Sequence, residues 1–375
     1  MKIRKSGAKY SAIVGIGERI RKMSQETGNE FLLLNRGVNS VCNIDLNSVV
    51  DELDFNSNEM QVYPPSQGRS ELRKAINQHY FGNQSSVDNI AITGGGMSAL
   101  DLVFQTINVD KVCLPDYYWG SYVQVMTVRG MESETYADFN TVNENIDSYK
   151  NRAVIICDPN NPIGNKQADE NIFKTAKALS DHGAIVIVDC PYRRIFCGEE
   201  DLFFQKLSQL ENVIIVESFS KSVGLSGQRL GFVHSTNKEF VNELGIRLMY
   251  ATNGINAFSQ LMVAKLLSSD KGQVVMKSFK ERTCEGIKKN IEFLEIKGLL
   301  AKEFYKDSEP IGIFVIVNKS EEELLEARIG SVSLSYFTRD KKEYASRFAR
   351  ICVSVPHEKF KTYFDGLEML NNSKN

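Results

Sequence analysis

Between residues 89 and 234 the chain repeats one pattern, a short apolar run followed by a polar or amphipathic stretch, and this alternation constrains the fold more than any other feature. The runs lie at 89–93, 111–114, 153–157, 184–188, 213–217 and 230–234. Each is of strand length and apolar almost throughout, the pattern of a strand covered on both faces, while the stretches between them carry helical periodicity. An example is 171–181, which ends at Gly183 as a C-cap. The expectation is an α/β architecture. After residue 253 the texture changes: a long helical region runs to 297, and strand-like runs follow at 311–317, 332–337 and 350–355, which predicts a smaller α+β domain. The stretch 16–27 reads as a basic amphipathic helix, expected on the small domain or a partner subunit rather than on a membrane. A chain of 375 residues is long enough for more than one domain. The polar tail from Asn371 is expected to fray.

The chemistry concentrates where the runs end. In SFSKSVGLSGQRLGF (218–232), Lys221 follows the run at 213–217, and Arg229 comes eight residues later. A lysine amine is a nucleophile only when deprotonated, so a Schiff-base lysine needs desolvation or nearby positive charge. A phosphate-bearing aldehyde cofactor needs Arg and hydroxyl donors beside it, which Ser218, Ser220 and Arg229 supply. A lone serine-flanked lysine also occurs in ordinary surface loops. The position after a buried strand favours function, because open α/β sheets bind ligands at the carboxyl ends of their strands.

Two further segments agree. IVIVDCPYRRI ends a run with Asp189 and places Tyr192 three residues on. A fixed carboxylate opposite a pyridine nitrogen keeps that nitrogen protonated, although an Asp after a strand also serves as a helix cap or turn former. AVIICDPNNPIGN puts Asn160 and Asn161 between prolines at the end of another strand, a stiff turn able to present an amide, or simply an Asn-Pro turn.

In this order the three segments resemble the fold type I aminotransferases, the class I/II enzymes that use pyridoxal 5′-phosphate. The likeness extends through YPPSQGRSELRKAI (63–76), TGGGMSAL (93–100), LPDYYWGSY (114–122) and RICVSV (350–355), from about residue 35 to 355. It implies a large domain with a mostly parallel seven-stranded sheet between helices, plus a smaller α+β C-terminal domain. The expected division is 1–45 as an N-terminal arm and part of the small domain, 46–253 as the cofactor-binding domain, and 254–375 as the small domain. Lys221 would carry the Schiff base and shuttle a proton, and Asp189 would pair with the ring nitrogen. Asn161 and Tyr192 would bond the phenolic oxygen. Gly95, Gly96, Met97, Ser218, Ser220 and Arg229 would cradle the phosphate, with Tyr63 arriving from the neighbouring subunit of a homodimer. Trp119 would stack on the ring, Tyr117 being the alternative. Gly37, Asn161 and Arg350 would meet the substrate, Arg350 as a fork on its α-carboxylate. IRLMYATNGINA (246–257) resembles the segment whose Arg reaches into the neighbouring subunit to bind a distal carboxylate, which would make Arg247 that residue, set against an ordinary surface or interface ion pair. Ile163 and Met97 depart from the family pattern, where hydroxyl residues are usual, and remove no catalytic group.

The implied activity is amino transfer between an L-amino acid and a 2-oxo acid in a ping-pong cycle. A β-lyase or decarboxylase on the same fold remains open, as does a non-catalytic binding protein. A net charge of −2 without any Lys/Arg block gives nucleic acid no electrostatic foothold. Seven scattered cysteines, Cys42, Cys113, Cys157, Cys190, Cys197, Cys284 and Cys352, suit reduced thiols in a cytoplasmic protein better than a disulfide framework. The four histidines lack metal-site spacing, so no metal is expected. No signal peptide or membrane span is expected either.

Overall fold

The computed structural model describes residues 1–196 and 201–374. Its centre is a seven-stranded sheet: β1 (Ile90–Thr93), β2 (Val112–Pro115), β3 (Ser133–Tyr136), β4 (Ala153–Cys157), β5 (Ile185–Asp189), β6 (Val213–Ser218) and β7 (Gly231–His234). The spatial order is β1-β7-β6-β5-β4-β2-β3. Only β7 runs against its neighbours; the remaining pairs are parallel. Side chains alternate between two cores, as strand geometry requires. Ile155, Ile187, Ile214 and Val216 meet Leu100 and Val103 of the helix Gly96–Thr106. Val154, Ile156, Val188 and Ile215 meet Leu72, Ile76, Ile172, Leu179 and Phe204 on the other side. The six expected runs are therefore strands, and β3 is the strand the pattern did not reveal. It is an edge strand of sequence SETY with three of four residues half-buried, so its composition carries little apolar signal.

The second unit holds a three-stranded antiparallel sheet of β8 (Phe314–Val317), β9 (Val332–Ser333) and β10 (Ala349–Cys352), with β10 central. The run at 332–337 is strand for two residues only and then turns into the 3-10 helix Leu334–Phe337. The N-terminal helix, Ala12–Thr27, packs here through Ile16 and Ile20 against Ile316, Val332 and Leu334. The helix Ala257–Ser268 does not belong to this unit. Its Met262, Val263, Leu266 and Leu267 lie in the large core with Ile255 and Met276, whereas Ile287, Ile291 and Leu294 of the long helix Asp270–Ile296 lie in the small one. The two cores thus exchange inside that helix, later than the change of texture at 253. The helix at 171–181 starts at Asp169 and ends at Asp181, with His182 in the cap position and Gly183 following at φ 83°. The last helix runs on to Lys374, through the tail expected to fray.

Six cysteines are free thiols, four of them buried; Cys197 lies outside the described residues. Among the described residues no helix is long and apolar enough to cross a membrane.

The loop after β4 is clamped onto the small unit. Gly164 has φ 76°, and a Cβ there would run into the carbonyl of Phe314, while Gly312 donates its N–H to the Gly164 carbonyl at 2.7 Å. Gly164→Ala should therefore lower stability by more than about 1 kcal/mol, since both φ and space exclude a methyl. A denaturant midpoint equal to that of the wild type would contradict this close approach.

Candidate active site

The carboxyl ends of β4, β5 and β6 open into a cavity of about 520 Å³. Gly96, Met97, Trp119, Asn161, Asp189, Tyr192, Ser218, Ser220, Lys221 and Arg229 all line it. Gly95 borders the same space, since a Cβ on it would lie 2.9 Å from Arg229 Nη2. It precedes the helix Gly96–Thr106, whose N-terminus has no side-chain cap, so first-turn N–H groups face a strand end rich in hydroxyls. Ser218 Oγ accepts from Ser220 N at 3.2 Å, and Arg229 Nη1 donates to Ser226 O at 2.9 Å and to Ser220 Oγ at 3.4 Å. Arg229 itself holds a left-handed φ of 51°, a local strain that turns its side chain back toward the serines.

Lys221 is in the short helix Phe219–Ser222 directly after β6. Its Nζ donates to the carbonyl of Gly37. Burial pulls its amine down to about 8, and the charges of Arg36, Arg229 and Arg350 act in the same direction. Asp189, at the end of β5, is 4% exposed and accepts from Tyr122 Oη at 2.5 Å. Burial pushes its carboxyl up to about 6 against the pull of that hydroxyl. Asn161 joins two partners, donating from Nδ2 to Tyr192 Oη at 3.2 Å and accepting at Oδ1 from Arg350 Nη1 at 3.0 Å. Arg350 lies on β10, completely buried, with Nη2 on the carbonyl of Asn35 at 2.5 Å and Nε without a partner. The rings of Phe314 and Phe337 sit 4.0 and 4.6 Å from its Cζ.

Trp119 lines this cavity and meets Tyr122 edge-on at 5.5 Å. Tyr117 instead turns to Phe304 and borders a separate cleft, so of the two aromatic candidates only Trp119 reaches the lysine's cavity. Tyr63 is 84% exposed and Arg247 is ion-paired to Glu243 at 2.7 Å on its own helix, Lys238–Thr252; neither lines the cavity of its own protomer. Sequence reasoning missed Tyr122 and Arg36, both cavity residues. Tyr122 follows Trp119 by about one helical turn, yet its partner Asp189 comes from a strand 67 residues away.

The sheet order, the single reversed strand and a half-buried lysine after β6 are the arrangement of fold type I. The chain belongs to the aminotransferase class I and II family, whose model matches residues 30–367. It is 27% identical over 269 residues to an aspartate aminotransferase of Pyrococcus horikoshii, covering 68% of this chain and 67% of that protein. A histidinol-phosphate aminotransferase of Pyrococcus furiosus is 27% identical over 201 residues, 52% of this chain and 56% of the relative. Several of the curated relatives are thus matched over only about half of their length. Among solved structures, the aspartate aminotransferase from Thermus thermophilus with maleate superposes with a TM-score of 0.83 at 19% identity, covering 98% of this chain and 99% of that one. An aminotransferase from Mycobacterium tuberculosis gives 0.84 at 16% over the full length of both. At such identities these structures establish the fold. Enzymes of the family generally depend on pyridoxal 5′-phosphate.

Removing the Tyr122 hydroxyl takes away a bond that favours the charged carboxylate. In Tyr122→Phe the Asp189 carboxyl should titrate above its value of about 6. Infrared titration of the protonated carboxyl band, assigned through Asp189→Asn, checks this; an unmoved midpoint would show that Tyr122 does not act on Asp189.

Proposed function

We propose that the protein is a homodimeric amino-acid aminotransferase that uses pyridoxal 5′-phosphate to move an amino group between an L-amino acid and a 2-oxo acid. The observation that carries this reading is Arg350, a buried guanidinium with no carboxylate partner among the described residues. A buried charge held only by neutral acceptors costs several kcal/mol, of order, unless an anion joins it. Its planar fork, with Nε open, suits a carboxylate.

Three observations support the fit of the cofactor. Arg229, two serine hydroxyls and an uncapped helix N-terminus converge where a phosphate would lie. Asp189 lines the cavity with Tyr122 as its sole side-chain partner among the described residues, and a protonated ring nitrogen opposite it would favour its charged form. Lys221 has the desolvated amine that carbonyl chemistry needs. The bound cofactor would supply an electron sink for the bonds of the substrate's Cα.

The chain's own groups divide the remaining work. Arg350 and Asn161 orient the substrate through its α-carboxylate. Tyr192, whose phenol burial keeps protonated, would offer its Oη as a hydrogen-bond donor to the cofactor. Trp119, which lines the cavity, would lie against the cofactor's ring. Lys221 Nζ, whose amine burial lowers, would hold the cofactor and would serve as the base that moves a proton at the substrate's Cα. Tyr63, exposed in its own protomer, is available to the phosphate site of a second copy.

Lys221→Ala should abolish turnover and the visible absorption that an L-amino acid shifts in the wild type. Retained activity in that variant would overturn the reading, and release of ammonia, pyruvate or carbon dioxide in place of the shift would point to a lyase or decarboxylase. Because the free amine grows as pH rises, capture of added cofactor by the apoprotein should accelerate through a pH of about 8. A rate independent of pH around that value would contradict a lowered lysine. Sedimentation of a fully active monomer would remove the shared-site dimer.

A further inference from the structure

The cleft that Tyr117 borders lies outside the catalytic cavity and encloses about 500 Å³, at the carboxyl ends of β2, β3 and β4. That volume is within the ordinary range of small-molecule sites, and nothing in the proposed reaction uses it. The small unit supplies its far side through Phe304, at the end of the 3-10 helix Lys302–Phe304, and Asp307. Cys157 borders both spaces, and the loop that carries Asn161 into the cavity presents Asn160 and Ile163 to the cleft. The two walls are braced against each other. Residues 165–166 pair as antiparallel strand with 309–310, and Asn165 Nδ2 donates to Ser308 Oγ at 3.1 Å, so the cleft is formed before any ligand enters.

Its lining differs in kind from that of the catalytic cavity. The side-chain amides of Asn140, Gln167 and Asn171 have no partner among the described residues, and each offers both a donor and an acceptor. Asn143 spends its Nδ2 on Thr175 Oγ1 at 3.1 Å and keeps Oδ1 open. Beside these groups stand the rings of Tyr117 and Phe304, edge-on with centroids 5.6 Å apart. The charges lean negative: Asp116, Asp138, Glu303 and Asp307 stand against Lys174, and among the described residues only Asp116 of the four has an ion-pair partner, Lys341 at 2.5 Å. A phosphate or carboxylate entering here would meet a field of its own sign. Hydroxyl groups, which donate to carboxylates and both donate to and accept from amides, fit the same lining. We propose that this cleft is a second ligand site, one that binds an unphosphorylated sugar whose hydroxyls pair with the amides and carboxylates while a C–H face of its ring packs on Tyr117 or Phe304. The site goes beyond the aminotransferase reading and does not depend on it.

The test is calorimetric titration of the holoenzyme with the methyl glycosides of glucose, galactose, mannose and N-acetylglucosamine, followed by the 6-phosphate of whichever binds most tightly. At least one neutral glycoside should bind saturably, at one site per protomer. The double variant Gln167→Ala/Asn171→Ala should weaken it by about 10- to 100-fold, as the loss of two neutral hydrogen bonds implies. Both side chains line the cleft and not the catalytic cavity, so the circular dichroism and the visible absorption of the double variant should match those of the wild type. The 6-phosphate should bind more weakly than its parent, because Lys174 is outnumbered by carboxylates. Absence of saturable binding by all four glycosides, an affinity unmoved in the double variant, or tighter binding of the 6-phosphate would each overturn the proposal.

Discussion

A guanidinium buried without a counter-charge is the constraint around which the site is organised. Arg350 sits on the central strand of the small sheet, between two phenylalanine rings, with an amide and a peptide carbonyl as its acceptors among the described residues. Taking such a group out of water costs several kcal/mol, of order, and the chain offsets part of this with everything it bonds. Asn161 must turn its oxygen to Arg350, which obliges its nitrogen to face Tyr192. The segment at 35–37 must run close enough to lend its Asn35 carbonyl. The large sheet, the small sheet and the N-terminal arm are thereby tied together at one side chain.

A second buried arginine shows the opposite solution. Arg193, one residue past Tyr192, lies 2.6 Å from Asp201, 2.7 Å from Asp169 and 3.6 Å from Asp158. Lys166 joins Asp158 at 3.0 Å and Asp169 at 2.6 Å. This network stitches the loop after β4, which carries Asn161, to the loop after β5, which carries Tyr192. The Asn161–Tyr192 contact of 3.2 Å is thus held from behind by ionic partners. Cations that serve the framework are saturated with carboxylates. Arg36, which lines the cavity, and Arg350, which is buried and does not itself line it, have no carboxylate partner among the described residues.

Much of this was legible in the sequence because continuous apolar runs and strand-end residues are local signals. Asp189, Lys221 and Arg229 could be located because each follows or flanks a run whose burial its composition already implies. The edge strand β3 was hidden because SETY spends most of its surface in a polar setting. The change of core inside the helix Asp270–Ile296 was hidden because one amphipathic helix can serve two cores with no break in its periodicity. Tyr122 and Arg36 were invisible for another reason. One is fixed by a contact 67 residues away and the other reaches the cavity from a segment far from the strands in sequence, and neither leaves a trace in local composition.

Neutral carbonyls hold both Arg350 and Lys221. Asn35 O and Gly37 O satisfy Arg350 and Lys221 without neutralising them. A carboxylate forms charge-assisted bonds roughly twice as strong as those to a peptide carbonyl, so an anionic ligand can displace the Asn35 carbonyl from Arg350 at a net gain. A carboxylate built into the chain in that place would have satisfied the guanidinium better and closed the site. On the proposed function, the strap at 35–37 contributes backbone where an acidic side chain would compete with the substrate, and the charges of Arg36, Arg229 and Arg350 act with burial to lower the Lys221 amine.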